Sequence, residues 1–125
     1  MEPMTDAVAR LVGIIDDDNA VRDSLKFLLE VAGHAVEAFT SATDFLAAET
    51  EHLACLILDH HMPHMTGLQL VERLRAEGRE IPILLVTGSP SPAIVSRAAE
   101  LGVARVLEKP PSEDEVLDFV AASLA

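Results

Sequence analysis

Leu53-Ala-Cys-Leu-Ile-Leu-Asp-His-His-Met-Pro-His-Met-Thr-Gly67 is the stretch that decides the fold. Six apolar residues, Leu53 to Leu58, run without interruption and end on one acid, Asp59. A short, wholly apolar run suits a strand covered on both faces, as strands of parallel sheets are. Asp59 then stands at the strand's carboxyl end, where open α/β sheets carry their chemistry. Taken alone, the same acid reads equally well as a cap for the turn that follows. The other strands choose between these readings.

Upstream, Leu11-Val-Gly-Ile-Ile15 is a second buried run, ending on Asp16-Asp17-Asp18. Val21, Leu25, Leu28, Leu29 and Ala32 then recur at helical spacing, with Asp18 as N-cap and Gly33 as the stop. Ala35 to Phe39 reads as a strand nearer an edge, because Glu37 interrupts it. Ser41-Ala-Thr-Asp44 has the form of a capping box and opens a helix with Ala42, Phe45 and Leu46 inward.

Downstream of the loop, Leu70, Val71 and Leu74 mark a helix stopped by Gly78. Ile81 to Val86 is a strand with Pro82 at its start, where a lost donor is tolerated, and it ends on Thr87-Gly88. Ser89-Pro-Ser-Pro92 leads into a helix with Ile94, Val95, Ala98 and Leu101, stopped by Gly102. Val103 to Leu107 is a weaker strand, interrupted by Arg105 and ending on Glu108-Lys109-Pro110-Pro111. Ser112-Glu-Asp-Glu115 has the form of another capping box, before a stripe of Val116, Phe119, Val120 and Leu124. Five βα units in succession predict an α/β fold, a doubly wound five-stranded parallel sheet with right-handed crossovers. Residues 1–9 read as a polar lead and residues 10–125 as a single domain.

Half of the 125 residues are apolar, which excludes a disordered chain. With no Trp or Tyr and only four Phe, the chain is poorly equipped to stack bases. A net charge of −12 argues against direct binding of nucleic acid or an anionic membrane. It suits a cation site and a basic protein partner. One cysteine, Cys55, permits no internal disulfide and reads as a small buried thiol. The first residues lack a basic region followed by a long apolar one, and no apolar run reaches spanning length, so a soluble cytoplasmic protein is expected.

Polar side chains close four of the strands: Asp16 and Asp17, Asp59, Thr87, and Lys109. Capping alone does not account for such a set, which would meet in the crevice at the switch point of the sheet. Three carboxylates repel unless a hard cation neutralises them, and Mg²⁺ prefers oxygen ligands. A carboxylate beside Mg²⁺ can attack phosphorus, while an ammonium and a hydroxyl match the charge on a transferred phosphoryl group. The set is chemically complete for phosphoryl transfer to Asp59.

Ile-Ile-Asp-Asp-Asp (14–18), Leu-Asp-His-His-Met-Pro-His-Met-Thr-Gly (58–67), Val-Thr-Gly (86–88) and Glu-Lys-Pro (108–110) together resemble the receiver domain of two-component response regulators. The resemblance covers roughly residues 10–124. Val-Arg-Asp-Ser-Leu (21–25) and Ser-Ala-Thr-Asp-Phe-Leu (41–46) look most like receivers of the nitrogen-fixation regulator type. It implies a flavodoxin-like, CheY-like (βα)5 sheet of order 2-1-3-4-5. It implies Asp59 as phosphoacceptor, with Mg²⁺, or Mn²⁺ in its place, held by Asp17, Asp16, Asp59 and the backbone carbonyl of His61. Thr87 matches the switch hydroxyl, with Gly88 beside it at the phosphoryl group, and Lys109 matches the motif lysine, before a cis peptide to Pro110. His61 and Ser89, two residues after Asp59 and Thr87, would flank the path of water and tune dephosphorylation. The implied partners are a sensor histidine kinase or phosphotransfer protein, and a downstream protein on the face of the fourth helix, fifth strand and fifth helix. A homodimer is left open. The domain would catalyse only its own phosphorylation and dephosphorylation.

Three positions depart from the family pattern. Val106 stands where the switch aromatic is usual, Arg105 where an aspartate often precedes it, and Pro111 where Phe usually follows Lys-Pro. All three lie on the output side, which keeps a phosphorylation-independent binding scaffold as the alternative. The loop histidines His60, His61 and His64 lack the spacing of a helical metal pair and read as loop residues. His34 and His52 read as isolated and solvated. A flavin protein of the same architecture would want a hydroxyl-rich first loop and aromatics for the ring, which this chain lacks.

Overall fold

The computed structural model describes residues 11–125, so the polar lead at residues 1–9 lies outside the described residues. β1 (Leu11–Ile15), β2 (Val36–Phe39), β3 (Leu53–Asp59), β4 (Ile83–Thr87) and β5 (Arg105–Glu108) alternate with α1 (Asn19–Val31), α2 (Ala42–Ala47), α3 (Gly67–Ala76), α4 (Pro92–Glu100) and α5 (Glu113–Leu124). All four strand pairings are parallel, and the order is β2-β1-β3-β4-β5. The chain therefore reverses its winding between β1 and β3; β3 ends on an acid, Asp59, and β1 is followed at once by one, Asp16.

β3 shows why its sequence carries no polar alternation. Leu56 and Leu58 point to one face, into a core with Phe45, Leu70, Val71, Leu74, Ile83 and Leu85. Cys55 and Ile57 point to the other, into a core with Leu25, Leu29, Leu84, Val116, Phe119 and Val120. Successive side chains alternate, and both faces are covered by helices, so every position is apolar. Burial pushes the Cys55 thiol up to about 11, partly offset by Ser123, which leaves it a neutral packing group at physiological pH.

Several expectations need correction. β4 begins at Ile83, not Ile81, because the Ile81 carbonyl accepts from Arg75 Nη1 at 3.0 Å. β4 also runs one residue further, to Thr87, and β3 one further, to Asp59. β5 begins at Arg105, not Val103, because the Val103 N–H donates to Ala98 and closes α4. Gly33, Gly78 and Gly102 end their helices at φ of +97°, +84° and +72°, as read from the sequence.

The two expected capping boxes form by half. Ser41 accepts from the Asp44 N–H, but Asp44 Oδ2 accepts from the Thr40 hydroxyl at 2.6 Å instead of reaching back. Ser112 accepts from the Glu115 N–H, while Glu115 faces Arg105 at 3.9 Å. The complete box is Thr66 with Gln69, at the start of α3. His52 is not isolated: its Nε2 lies 2.7 Å from Glu37 Oε1. Ala32 of the expected α1 stripe is exposed. Among the described residues, no helix is long and apolar enough to cross a membrane.

Candidate functional site

The carboxyl ends of β1, β3 and β4, with the loop after β5, bring the acids, Thr87 and Lys109 together. Asp16 and Asp59 are each 3% exposed, and Asp17 is exposed. Each of the three offers an oxygen, and these oxygens lie within 4.8 Å of one another. Asp18 stands apart from them as the cap of α1, accepting from the N–H groups of Ala20 and Val21.

Asp16 is held from both sides. Its Oδ1 accepts from the Asp18 N–H at 2.9 Å, and its carbonyl accepts from Arg22 at 2.8 Å. Burial raises its pKa; the Asp18 bond and Lys109 oppose the shift, and the charges of Asp59 and Asp17 add to it.

Lys109 Nζ lies 2.9 Å from Asp59 Oδ1 and 3.7 Å from Asp16 Oδ2. Burial pulls the ammonium pKa down, but the Asp59 contact and the charges of Asp16, Asp59 and Asp17 outweigh it and hold the pKa above its ordinary value. The contact is an ion pair without hydrogen-bond direction, and neither buried oxygen of Asp59 has a directed hydrogen-bond partner. The Lys109 N–H donates to the Thr87 carbonyl at 2.9 Å, and the Lys109–Pro110 peptide is cis.

One ammonium cannot neutralise three carboxylates. Asp59 Oδ2, buried and without a hydrogen-bond partner, and the all-oxygen donor set fit a hard divalent cation, and the three aspartates are the residues that could hold it.

Thr87 is fully buried beside this cluster. Its Oγ1 accepts from the Ser89 N–H at 3.2 Å and lies 2.9 Å from His61 Nε2. Gly88 is exposed, and a Cβ there would meet nothing within 4 Å. Ser89 meets Thr87 through its backbone. Val106 lies away from the cluster, half-buried on β5 against the α2–α3–α4 core.

Three site features went unread in the sequence. The His61–Thr87 contact joins residues 26 apart, and no local pattern signals it. His60 is buried, with Nδ1 accepting from the Leu68 N–H at 3.4 Å. Burial lowers its pKa, with the His61 charge adding and Asp59 opposing. Gly67 packs its α-carbon against the backbone of Asp59 and His60, and its N–H donates to the His60 carbonyl at 2.9 Å.

Residues 12–121 match the family described as response regulator receiver domain. The transcriptional regulatory protein FixJ of Azorhizobium caulinodans is 41% identical over 114 residues, covering 90% of this chain and 54% of its own length. The response regulator protein TodT of Pseudomonas putida is 37% identical over 117 residues, covering 93% and 52%. This chain thus spans about half the length of the curated relatives it matches. Among solved structures, FixJ-N superposes with a TM-score of 0.81 at 30% identity, covering 91% of this chain and 92% of the other. The response regulator StyR superposes with a TM-score of 0.83 at 38% identity, covering 91% and 58%.

Proposed function

The chain belongs to the response regulator receiver domain family, and from that premise we propose that it accepts a phosphoryl group on Asp59. It is a receiver domain of two-component regulators rather than a classical enzyme. The donor in this reading is a sensor histidine kinase or a phosphotransfer protein, and the exchange takes place in the cytoplasm. One observation carries the assignment: Asp59 is a buried carboxylate at a strand end, lacking directed hydrogen bonds, between a lysine and two further acids.

Asp16, Asp17 and Asp59, with the His61 backbone carbonyl, would hold Mg²⁺, or Mn²⁺ in its place. When bound, the ion neutralises negative charge on the acids and on the incoming group. An oxygen of Asp59 forms the new bond to phosphorus as the phosphorus–nitrogen bond of the donor's phosphohistidine breaks, its electron pair staying on the imidazole. Lys109, already between Asp59 and Asp16, pairs with a phosphoryl oxygen, and the Thr87 hydroxyl and Gly88 N–H supply donors. The test is incorporation of one phosphoryl group from acetyl phosphate in the presence of Mg²⁺. No incorporation would overturn the reading. The convergence of Asp16, Asp17, Asp59, Thr87 and Lys109 supports phosphorylation over the phosphorylation-independent scaffold, which rests only on the departures at Arg105, Val106 and Pro111.

The lifetime of the phosphoryl group is proposed to depend on His61 and Ser89. Both stand beside Thr87, where water would approach Asp59. Replacing either is expected to change the rate of autodephosphorylation severalfold, read by loss of label over time. Unchanged rates in both variants would end that assignment.

The output surface in this reading is α4, β5 and α5, and it switches without an aromatic residue. Val106 has one stiff χ angle and already packs against the core. The differential contacts then come from the Ser89–Pro92 loop, restricted by two prolines, and from the α4 it leads into. Adding beryllofluoride and Mg²⁺ should shift NMR resonances of residues 87–95 while Val106 keeps its rotamer. Large changes centred on Val106, with residues 88–95 silent, would refute this route.

A further inference from the structure

Thr87 is wholly buried, and its hydroxyl meets two groups among the described residues. The Ser89 N–H donates to Oγ1 across 3.2 Å, and His61 Nε2 lies 2.9 Å from the same oxygen. A hydroxyl has one proton to give and two lone pairs to fill. Ser89 fills a lone pair and cannot take the proton. A buried O–H without an acceptor bears the full desolvation of that group. His61 Nε2 is the acceptor in reach at 2.9 Å, and the arrangement that fills both needs of the hydroxyl has Thr87 donating to it, with the imidazole proton on Nδ1.

We propose that His61 is a latch on Thr87: in the unmodified chain its imidazole holds the one proton that Thr87 would give to a phosphoryl oxygen on Asp59. The proposal rests on the reading of Asp59 as phosphoacceptor and adds a regulatory element to it. The hydroxyl cannot serve both acceptors. An acyl phosphate sets charged oxygens in competition with the ring nitrogen, and the charge-assisted bond is the stronger. The latch therefore opposes activation without preventing it, since the bond lost on leaving the resting state offsets part of the bond gained.

The position of His61 suits this role. It stands two residues beyond the last residue of β3, while Thr87 ends β4, so the bond ties the loop after one strand to the end of its neighbour. The imidazole also meets His60 edge-on, with ring centroids 4.9 Å apart. His60 is itself buried and bonded to the Leu68 N–H at the start of α3, so the latch leans on a fixed part of the loop. His61 is in this account a positioning residue, acting through the Thr87 hydroxyl.

Two measurements on the intact chain test the latch. The first is long-range proton–nitrogen NMR of the His61 imidazole in the unmodified protein, at mildly alkaline pH. The expected result is the Nδ1–H tautomer, with an Nε2 resonance that moves in Thr87→Val. The Nε2–H tautomer, or an Nε2 resonance indifferent to Thr87→Val, overturns the latch whatever Asp59 does.

The second is binding of beryllofluoride, a phosphoryl mimic, at saturating Mg²⁺. His61→Leu should bind it roughly three- to tenfold more tightly than the unaltered chain, the span of one net hydrogen bond. His61→Gln keeps an acceptor oxygen and should fall between. In a Thr87→Val background the gain from His61→Leu should vanish, because the coupling runs through the hydroxyl. Equal binding by the unaltered chain and His61→Leu, or a gain that persists without the hydroxyl, overturns the latch. An unaltered chain that binds no beryllofluoride strikes the phosphoacceptor reading instead, and the imidazole tautomer still decides the latch.

Discussion

Asp59→Asn is expected to abolish phosphoryl incorporation from acetyl phosphate, and EDTA to do the same to the unaltered chain. The carboxamide keeps the shape of the side chain but offers phosphorus no anionic oxygen. Shape matters here because Asp59 is 3% exposed and closes a strand paired on both sides. The variant should therefore fold, and its urea midpoint provides the check that lost labelling is lost chemistry. Removing one of three carboxylates should also weaken Mg²⁺ binding by about tenfold or more, since affinity for hard cations follows the charge count of the site. The label on the unaltered chain should survive acid and be released by base, as an acyl phosphate is. Asp59→Asn protein that labels to the level of the unaltered chain would move the acceptor elsewhere and sink the assignment.

What was legible in the sequence was what each strand could state locally. Leu53–Leu58 reads as a doubly covered strand because both faces of β3 carry core, and an uninterrupted apolar run is the direct result. Asp16, Asp17, Asp59 and Thr87 were legible because they close uninterrupted apolar runs, and Lys109 because it follows the weaker run of β5; parallel strands bring their carboxyl ends to one side. Strand ends were less legible, because tertiary partners set them. Ile81 is as apolar as Ile83, yet the Arg75 guanidinium takes its carbonyl. Val103 suits a strand, yet its N–H closes α4. The half-formed box at Ser41 has a similar cause: a neighbouring hydroxyl, Thr40, claims the acid that would have reached back. The Thr66–Gln69 box, by contrast, stood in plain sight as Thr-x-x-Gln and went unread. The His61–Thr87 contact went unread: the expected sheet order already put β3 beside β4, but which side chains meet there depends on the course of the loop after Asp59, which no local pattern states.

Gly67→Ala should damage both the fold and the acceptor, more than any other glycine-to-alanine change at the site. A Cβ at Gly67 would lie 2.7 Å from the Asp59 carbonyl oxygen, 2.9 Å from His60 Cα and 2.9 Å from Leu85 Cδ1. Two of these neighbours are backbone, so no side-chain rotation relieves the contact. The first turn of α3 would have to move off the end of β3, stretching the bond from the Gly67 N–H to the His60 carbonyl. Overpacking of this kind costs about 1–3 kcal/mol, and the absence of a flexible neighbour on the backbone side places Gly67→Ala at the upper end. The same displacement acts on the peptide of Asp59, so phosphoryl incorporation should fall together with the urea midpoint. Gly88→Ala is the comparison for stability. It lies one residue beyond β4, a Cβ there meets nothing within 4 Å, and its urea midpoint should stay within error of the unaltered chain or rise slightly as the unfolded chain loses freedom. A Gly67→Ala midpoint equal to that of Gly88→Ala would mean that α3 sits further from β3 than these distances state, and the close approach of the helix to the acceptor strand would have to be abandoned.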